Sequence, residues 1–67
     1  MPVTLRLTVP AGATLYVPDL RARLEAQLLG LTLRRAQEAR LAFERAFGWY
    51  GLCAPVVADD LTWTHDA

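Results

Sequence analysis

Val3-Thr4-Leu5-Arg6-Leu7-Thr8-Val9 alternates apolar and polar residues without a break, and this stretch decides the fold. Strict alternation over seven residues predicts a half-buried strand with Val3, Leu5, Leu7 and Val9 facing inward. Pro10-Ala11-Gly12-Ala13 has turn chemistry, because Pro presets φ and Gly tolerates a positive φ. Thr14-Leu15-Tyr16-Val17 alternates again, so the sequence predicts a hairpin whose loop is too long to fix its register.

Pro18-Asp19 opens a helix, with Asp19 as its expected N-cap. Leu20, Leu24 and Leu28 recur every four residues, and Gly30 suits the position just past the helix end. The first helix is expected over about Asp19 to Leu29. Thr32 is expected to cap a second helix from Leu33 to Phe47, a stretch free of Gly and Pro and rich in good helix formers. Ala36, Ala39, Phe43, Ala46 and Phe47 form its apolar stripe. Arg34/Glu38 and Arg40/Glu44 stand four apart and can pair along it. The alternatives are one helix over residues 19–47 weakened at Gly30, or a short strand at Gly30 to Thr32.

Gly48 ends the helix and Trp49-Tyr50-Gly51 makes a tight aromatic connection. Leu52 to Ala58 reads as a strand that Pro55 confines to an edge or a bulge. Asp59-Asp60 marks a turn. Leu61-Thr62-Trp63-Thr64-His65 alternates, with Leu61, Trp63 and His65 on one face. The order strand-strand-helix-helix-strand-strand predicts one α+β domain over residues 1–67. Its simplest form is a small antiparallel sheet of about four strands with helices packed on one face.

Val9-Pro10-Ala11-Gly12-Ala13-Thr14-Leu15 resembles the first hairpin of ubiquitin-like sulfur-carrier proteins, which run from such a turn into a helix. Those carriers end in Gly-Gly, the residues that form the thiocarboxylate. Here Thr64-His65-Asp66-Ala67 stands in their place, so the resemblance implies the hairpin and not the activity.

Sixty-seven residues, 54% of them hydrophobic, are the chain's most informative bulk property. A domain this small buries only about 60% of the surface its unfolded chain exposes. Cys53 is the single cysteine and His65 the single histidine. A disulfide within the chain is therefore excluded, and a zinc site would need carboxylates. Some apolar side chains should reach the surface, where a contiguous patch marks an interface. Seven basic and seven acidic residues give zero net charge. The chain as a whole is neither a polyanion binder nor an acidic mimic of nucleic acid. Every basic residue is Arg, whose planar fork suits interfaces and phosphates. Met1-Pro2-Val3-Thr4 does not read as a secretion signal, no run is long enough to span a membrane, and a lone cysteine fits a reducing compartment. The expected location is the cytoplasm.

Asp59, Asp60, His65 and Asp66 could hold a divalent cation or supply an acid–base pair, although their spacing matches no known loop. Cys53 could act as a nucleophile only with His65 as its base, from a strand that pairs with its own. Its place between Leu52 and Ala54 favours a small buried side chain. Arg34, Arg35, Arg40 and Arg45 spread over a broad arc of the second helix and could track phosphates, interrupted by Glu38 and Glu44. No P-loop, dinucleotide fingerprint, CxxC or serine elbow is present.

Trp49, Tyr50 and Trp63, flanked by Arg34, Arg35 and Arg45, are the expected partner-binding residues, because Trp, Tyr and Arg dominate binding energy at interfaces. The expected function is a small non-enzymatic protein-binding or regulatory protein without a cofactor. Its partner would be a second copy of itself or a larger complex. A phage or mobile-element inhibitor of host machinery is the specific case. A nucleic-acid-binding regulator using the second helix is one alternative. A small metal-dependent or acid–base enzyme built on Asp59, Asp60 and His65 is another.

Overall fold

The structure, a computed structural model, describes residues 3–67. Met1 and Pro2, on which the reading of the chain's start partly rests, lie outside them. The elements are β1 (Thr4–Val9), β2 (Thr14–Tyr16), α1 (Val17–Leu28), α2 (Leu33–Phe47), a 3-10 turn (Gly48–Tyr50), β3 (Cys53–Pro55) and β4 (Leu61–Asp66). The architecture is α+β in the expected order. Two separate helices replace the single-helix alternative, and residues 30–32 form no strand.

The strands pair differently from the expected hairpin. β1 pairs antiparallel with β4, and β2 with β3, giving two two-stranded sheets. The cause lies in the Pro10–Ala13 turn. Ala13 donates to the Pro10 carbonyl, and Gly12 adopts φ 86°. Gly12 and Ala13 also exchange backbone hydrogen bonds with Val56. The Asp60 carboxylate accepts from the Ala11 N–H at 2.8 Å. The bonds to Val56 continue the β2–β3 pairing into the turn, so β2 meets β3 and not β1. The hairpin implied by the sulfur-carrier resemblance is absent for the same reason.

Within the β1–β4 ribbon, Leu5 faces His65, Leu7 faces Trp63 and Val9 faces Leu61. Cross-strand partners share a face, so these six side chains point together at the helices. The opposite face carries Thr4, Arg6, Thr8, Thr62, Thr64 and Asp66, and is polar throughout.

Helix α1 begins two residues earlier than expected, and Asp19 is not its cap. Tyr16 holds the N-cap position without a side-chain bond. A helix start leaves four N–H groups unpaired. Here the Val17 N–H donates to the Leu52 carbonyl at 2.9 Å, and Pro18 has no N–H to satisfy. The sheet has done the capping, and Asp19 sits in the first turn, where its charge favours the helix dipole. Gly30 stands just past the helix end as expected, though without a positive φ. Leu29 stays in the right-handed region, and the chain turns through a Leu31 N–H to Leu28 carbonyl bond. Thr32 does cap α2, its hydroxyl accepting from the Arg35 N–H at 3.3 Å.

Leu20, Leu24 and Leu28 from α1 and Ala36, Ala39, Phe43 and Phe47 from α2 form one buried cluster with Leu5, Leu7, Val9 and Leu15. No polar side chain is buried among the described residues. Phe43 is its largest fully buried member; Phe47 packs tilted on it and Trp63 edge-on.

The two helices are tied by charge across their seam. Arg40 turns from its helical neighbour Glu44 to Glu25 of α1, donating to both carboxylate oxygens at 2.7 and 2.8 Å. Glu44 faces Arg21 at 3.8 Å instead, so only Arg34–Glu38 of the two expected pairs along α2 is made. Hydrogen bonding from Arg40 holds the Glu25 carboxyl below its ordinary range, against desolvation that opposes it and with smaller help from the charges of Arg40 and Arg21. A depressed carboxylate stabilises the fold above its unfolded pKa, and that contribution fades as pH falls through the folded value. Glu25→Gln is therefore expected to be slightly less stable than the parent at neutral pH. The gap should close in acid, as read by thermal melts over a pH series. Solvent screening keeps the effect small.

Candidate protein-interaction site

The end of α2 builds the most conspicuous surface. Gly48 closes the helix with its N–H on the Glu44 carbonyl, and the chain tightens into the 3-10 turn. Gly51 then reverses it at φ 62°, ψ −129°, a region essentially closed to side-chain-bearing residues. Trp49, in the 3-10 turn before this reversal, is 90% exposed. Tyr50 rests against Phe47 with ring centroids 6.2 Å apart and is exposed.

The segment after Gly51 extends this apolar surface. Tyr16 and Cys53 are cross-strand partners on the outer face of the β2–β3 ribbon, while Leu15 and Ala54 point inward. Tyr16 is 49% exposed, Leu52 62%, and Val57, just beyond the ribbon, 84%. Cys53 is exposed, not buried as its apolar neighbours suggested, because a three-residue strand turns its end residues to the same outer face. Sequence reasoning missed Tyr16, Leu52 and Val57. The alternation Thr14-Leu15-Tyr16 held the signal for Tyr16, since Leu15 buried implies Tyr16 out.

Trp63 lies on the inner face of the β1–β4 ribbon and is half-buried. It packs edge-on against Phe43 and Phe47, each at 6.1 Å, and stacks on His65 at 5.9 Å. It belongs to the packing layer and does not join Trp49 on the exposed end.

The arginines have divergent surroundings. Successive helical residues advance about 100° and rise about 1.5 Å, which places Arg34 and Arg45 on the same outer face of α2 as exposed Leu41 but roughly 16 Å apart along its axis. Arg35 falls on a different flank. Arg34 is paired with Glu38 at 3.6 Å and Arg40 with Glu25, whereas Arg35 and Arg45 make no ion pair among the described residues.

The acidic cluster near the C-terminus is not assembled. Asp60 holds the Ala11 N–H, Asp66 accepts from the Thr4 hydroxyl at 3.0 Å, and His65 lies on the opposite face of β4 from Asp66. No three acidic, His or Cys side chains among the described residues converge to share an ion. Cys53 and His65 sit in different sheets, not on paired strands. No helix among the described residues is long and apolar enough to cross a membrane. No family model, curated protein or solved structure matches the chain.

Ala at position 51 cannot hold the Gly51 backbone without strain of about 1–3 kcal/mol. Gly51→Ala is expected to lower stability by that amount, read from urea unfolding. No neighbouring atom blocks a methyl group there, so the loss is purely conformational.

Proposed function

We propose that this chain is a protein-binding module whose partner is a larger protein, docked on the apolar end formed by Trp49, Tyr50, Tyr16, Leu52 and Cys53. The observation that carries this reading is the exposure of Trp49, the largest side-chain type, with Tyr16 and Leu52 also exposed, in a protein with a buried core of its own. An aromatic anchor projecting from a rigid turn loses little conformational entropy on docking, and such residues supply most of the binding energy at interfaces. The surface area supports the same reading. The chain exposes 4718 Å², against roughly 4200 Å² for a typical monomer of its mass. Arg45, one helical turn before Trp49 and without an ion pair, is suited to the rim of such a contact. Regulation or inhibition of a larger assembly, as by a phage-encoded protein, is the biological role that suits a module of this size.

The test compares the parent with Trp49→Ala. The variant should keep its stability within about 0.5 kcal/mol, as surface substitutions do. It should lose about 2 kcal/mol or more of partner affinity, roughly thirtyfold, by affinity capture followed by calorimetry with the captured protein. Equal retention of the same partner by both proteins would remove the reading. Binding that instead falls steeply with salt, on DNA or RNA, would transfer the function to the arginines of α2.

A further inference from the structure

The two edges of the β1–β4 ribbon are treated in opposite ways. Val3 and Ala67 exchange both backbone hydrogen bonds. In an antiparallel pair, such bonded pairs alternate with non-bonded ones. Leu5, Leu7 and Val9 therefore bond toward β4, and Thr4, Arg6 and Thr8 present their N–H and C=O groups to the outer edge of β1. That edge is covered. The Gln27 side chain accepts from the Arg6 N–H at 3.1 Å and donates to its carbonyl at 2.9 Å, as a neighbouring strand would. Arg23 donates to the Thr8 carbonyl at 3.3 Å. On the far side, Thr62, Thr64 and Asp66 present the same groups from β4, and no described residue meets them. A six-residue open edge is a template for another strand.

We propose that this edge pairs with the same edge of a second copy, antiparallel about a two-fold axis through Thr64, joining two ribbons into one four-stranded sheet. Strand length and charge together select the register: centring on Thr62 or His65 opposes no carboxylates but leaves part of β4 unpaired. With Thr64 opposite Thr64 of the second copy, Thr62 faces Asp66 of the second copy, and the whole strand pairs with no like charges opposed. Centring on Trp63 sets Asp60 against Asp66, and centring on Asp66 sets two Asp66 carboxylates together; like charges directly opposed destabilise a sheet. On the inner face the Thr64 register puts Trp63 opposite His65 of the second copy, extending the Trp63–His65 stack already formed within each chain.

Helix α2 leaves room for this. Its seam with α1 is marked by Arg40 and Glu44. Ala42 and Ala46 lie four apart on the far flank, half-buried and small, where the second copy's α2 would approach beneath the joined sheet. The strand pairing uses backbone groups of Thr62, Thr64 and Asp66 and no side chain proposed for the docking end, so Thr64→Pro and Trp49→Ala test the two readings separately.

Sedimentation velocity over a concentration series, with backbone hydrogen exchange, tests the proposal on the full chain. The parent is expected to dimerise, with the Thr62 and Thr64 amides protected only in the dimer. Thr64→Pro removes an N–H that points away from β1, so the fold is kept while the dimer weakens about tenfold or more. Thr62→Lys and Thr62→Asp should act in opposite directions, tightening and loosening the dimer by about threefold to tenfold through Asp66 of the second copy. A parent that stays monomeric at the highest concentration reached would overturn the proposal. So would a dimer that ignores Thr64→Pro, or one shifted the same way by both Thr62 variants.

Discussion

Phe43→Ala is expected to lower the unfolding free energy by about 3–5 kcal/mol. A domain of this length has only about 3–10 kcal/mol in total. The variant should therefore stand close to its unfolding midpoint in plain buffer. Phe43 is 1% exposed and sits where α2 meets β4. Its loss removes the ring against which Phe47 packs at 4.8 Å and Trp63 at 6.1 Å, and empties the space beneath the Arg21 guanidinium, 5.8 Å above the ring. Aromatic pairs contribute about 0.5–1.5 kcal/mol beyond their buried area, so the cost should fall high in the range. Urea unfolding by far-UV circular dichroism gives the number. Near-UV ellipticity from Trp63 should weaken in the fraction that remains folded. A loss under about 1 kcal/mol would mean that Phe43 is not enclosed as described.

Leu24→Ala is expected to cost about 2–5 kcal/mol, with a different signature. Leu24 is fully buried at the centre of the Leu20, Leu24, Leu28 row, and α1 touches β1, β2 and α2. This helix links the two ribbons, which share no hydrogen-bonded strand. A cavity there should loosen both ribbons, so amides of Leu15 and Leu7 should exchange faster together while the Trp63 near-UV signal is largely retained. Unchanged exchange at Leu15 would show that α1 does not couple the ribbons.

Several local expectations came through because short-range physics governs them. The faces of β1 and β4 followed from period-two alternation, and the buried stripe of α2 from its apolar spacing, since side-chain direction is set by backbone geometry alone. Thr32 was readable as a cap because its hydroxyl serves an N–H only three residues away. Asp19 was misread as a cap where a distant group intervened, while Gly30 does stand just past the end of α1 but without a positive φ. The Leu52 carbonyl had already taken the Val17 N–H, and Leu29 could end α1 without a left-handed residue. Arg40 shows the same limit for charge, choosing Glu25 on the other helix over Glu44 on its own.

The candidate site divides along that line. Trp49 and Tyr50 stood out by residue type and by their position after a helix-ending Gly. Their company did not, because Tyr16 and Cys53 are 37 residues apart in number and meet only through the β2–β3 pairing. Trp63 was grouped with Trp49 by composition, and the inward face of β4 separated them.

The sequence alone determined the identity and order of the elements, the inner and outer faces of the long strands, and an apolar content too high for so small an interior, because each depends on neighbours within a few positions or on bulk composition. Only the tertiary structure decided which strands pair, that Gln27 shields one ribbon edge while β4 is left bare, and that Tyr16 meets Cys53 on an exposed face. Those outcomes depend on hydrogen bonds and contacts between residues far apart in the chain, and no local pattern encodes which distant partner will arrive.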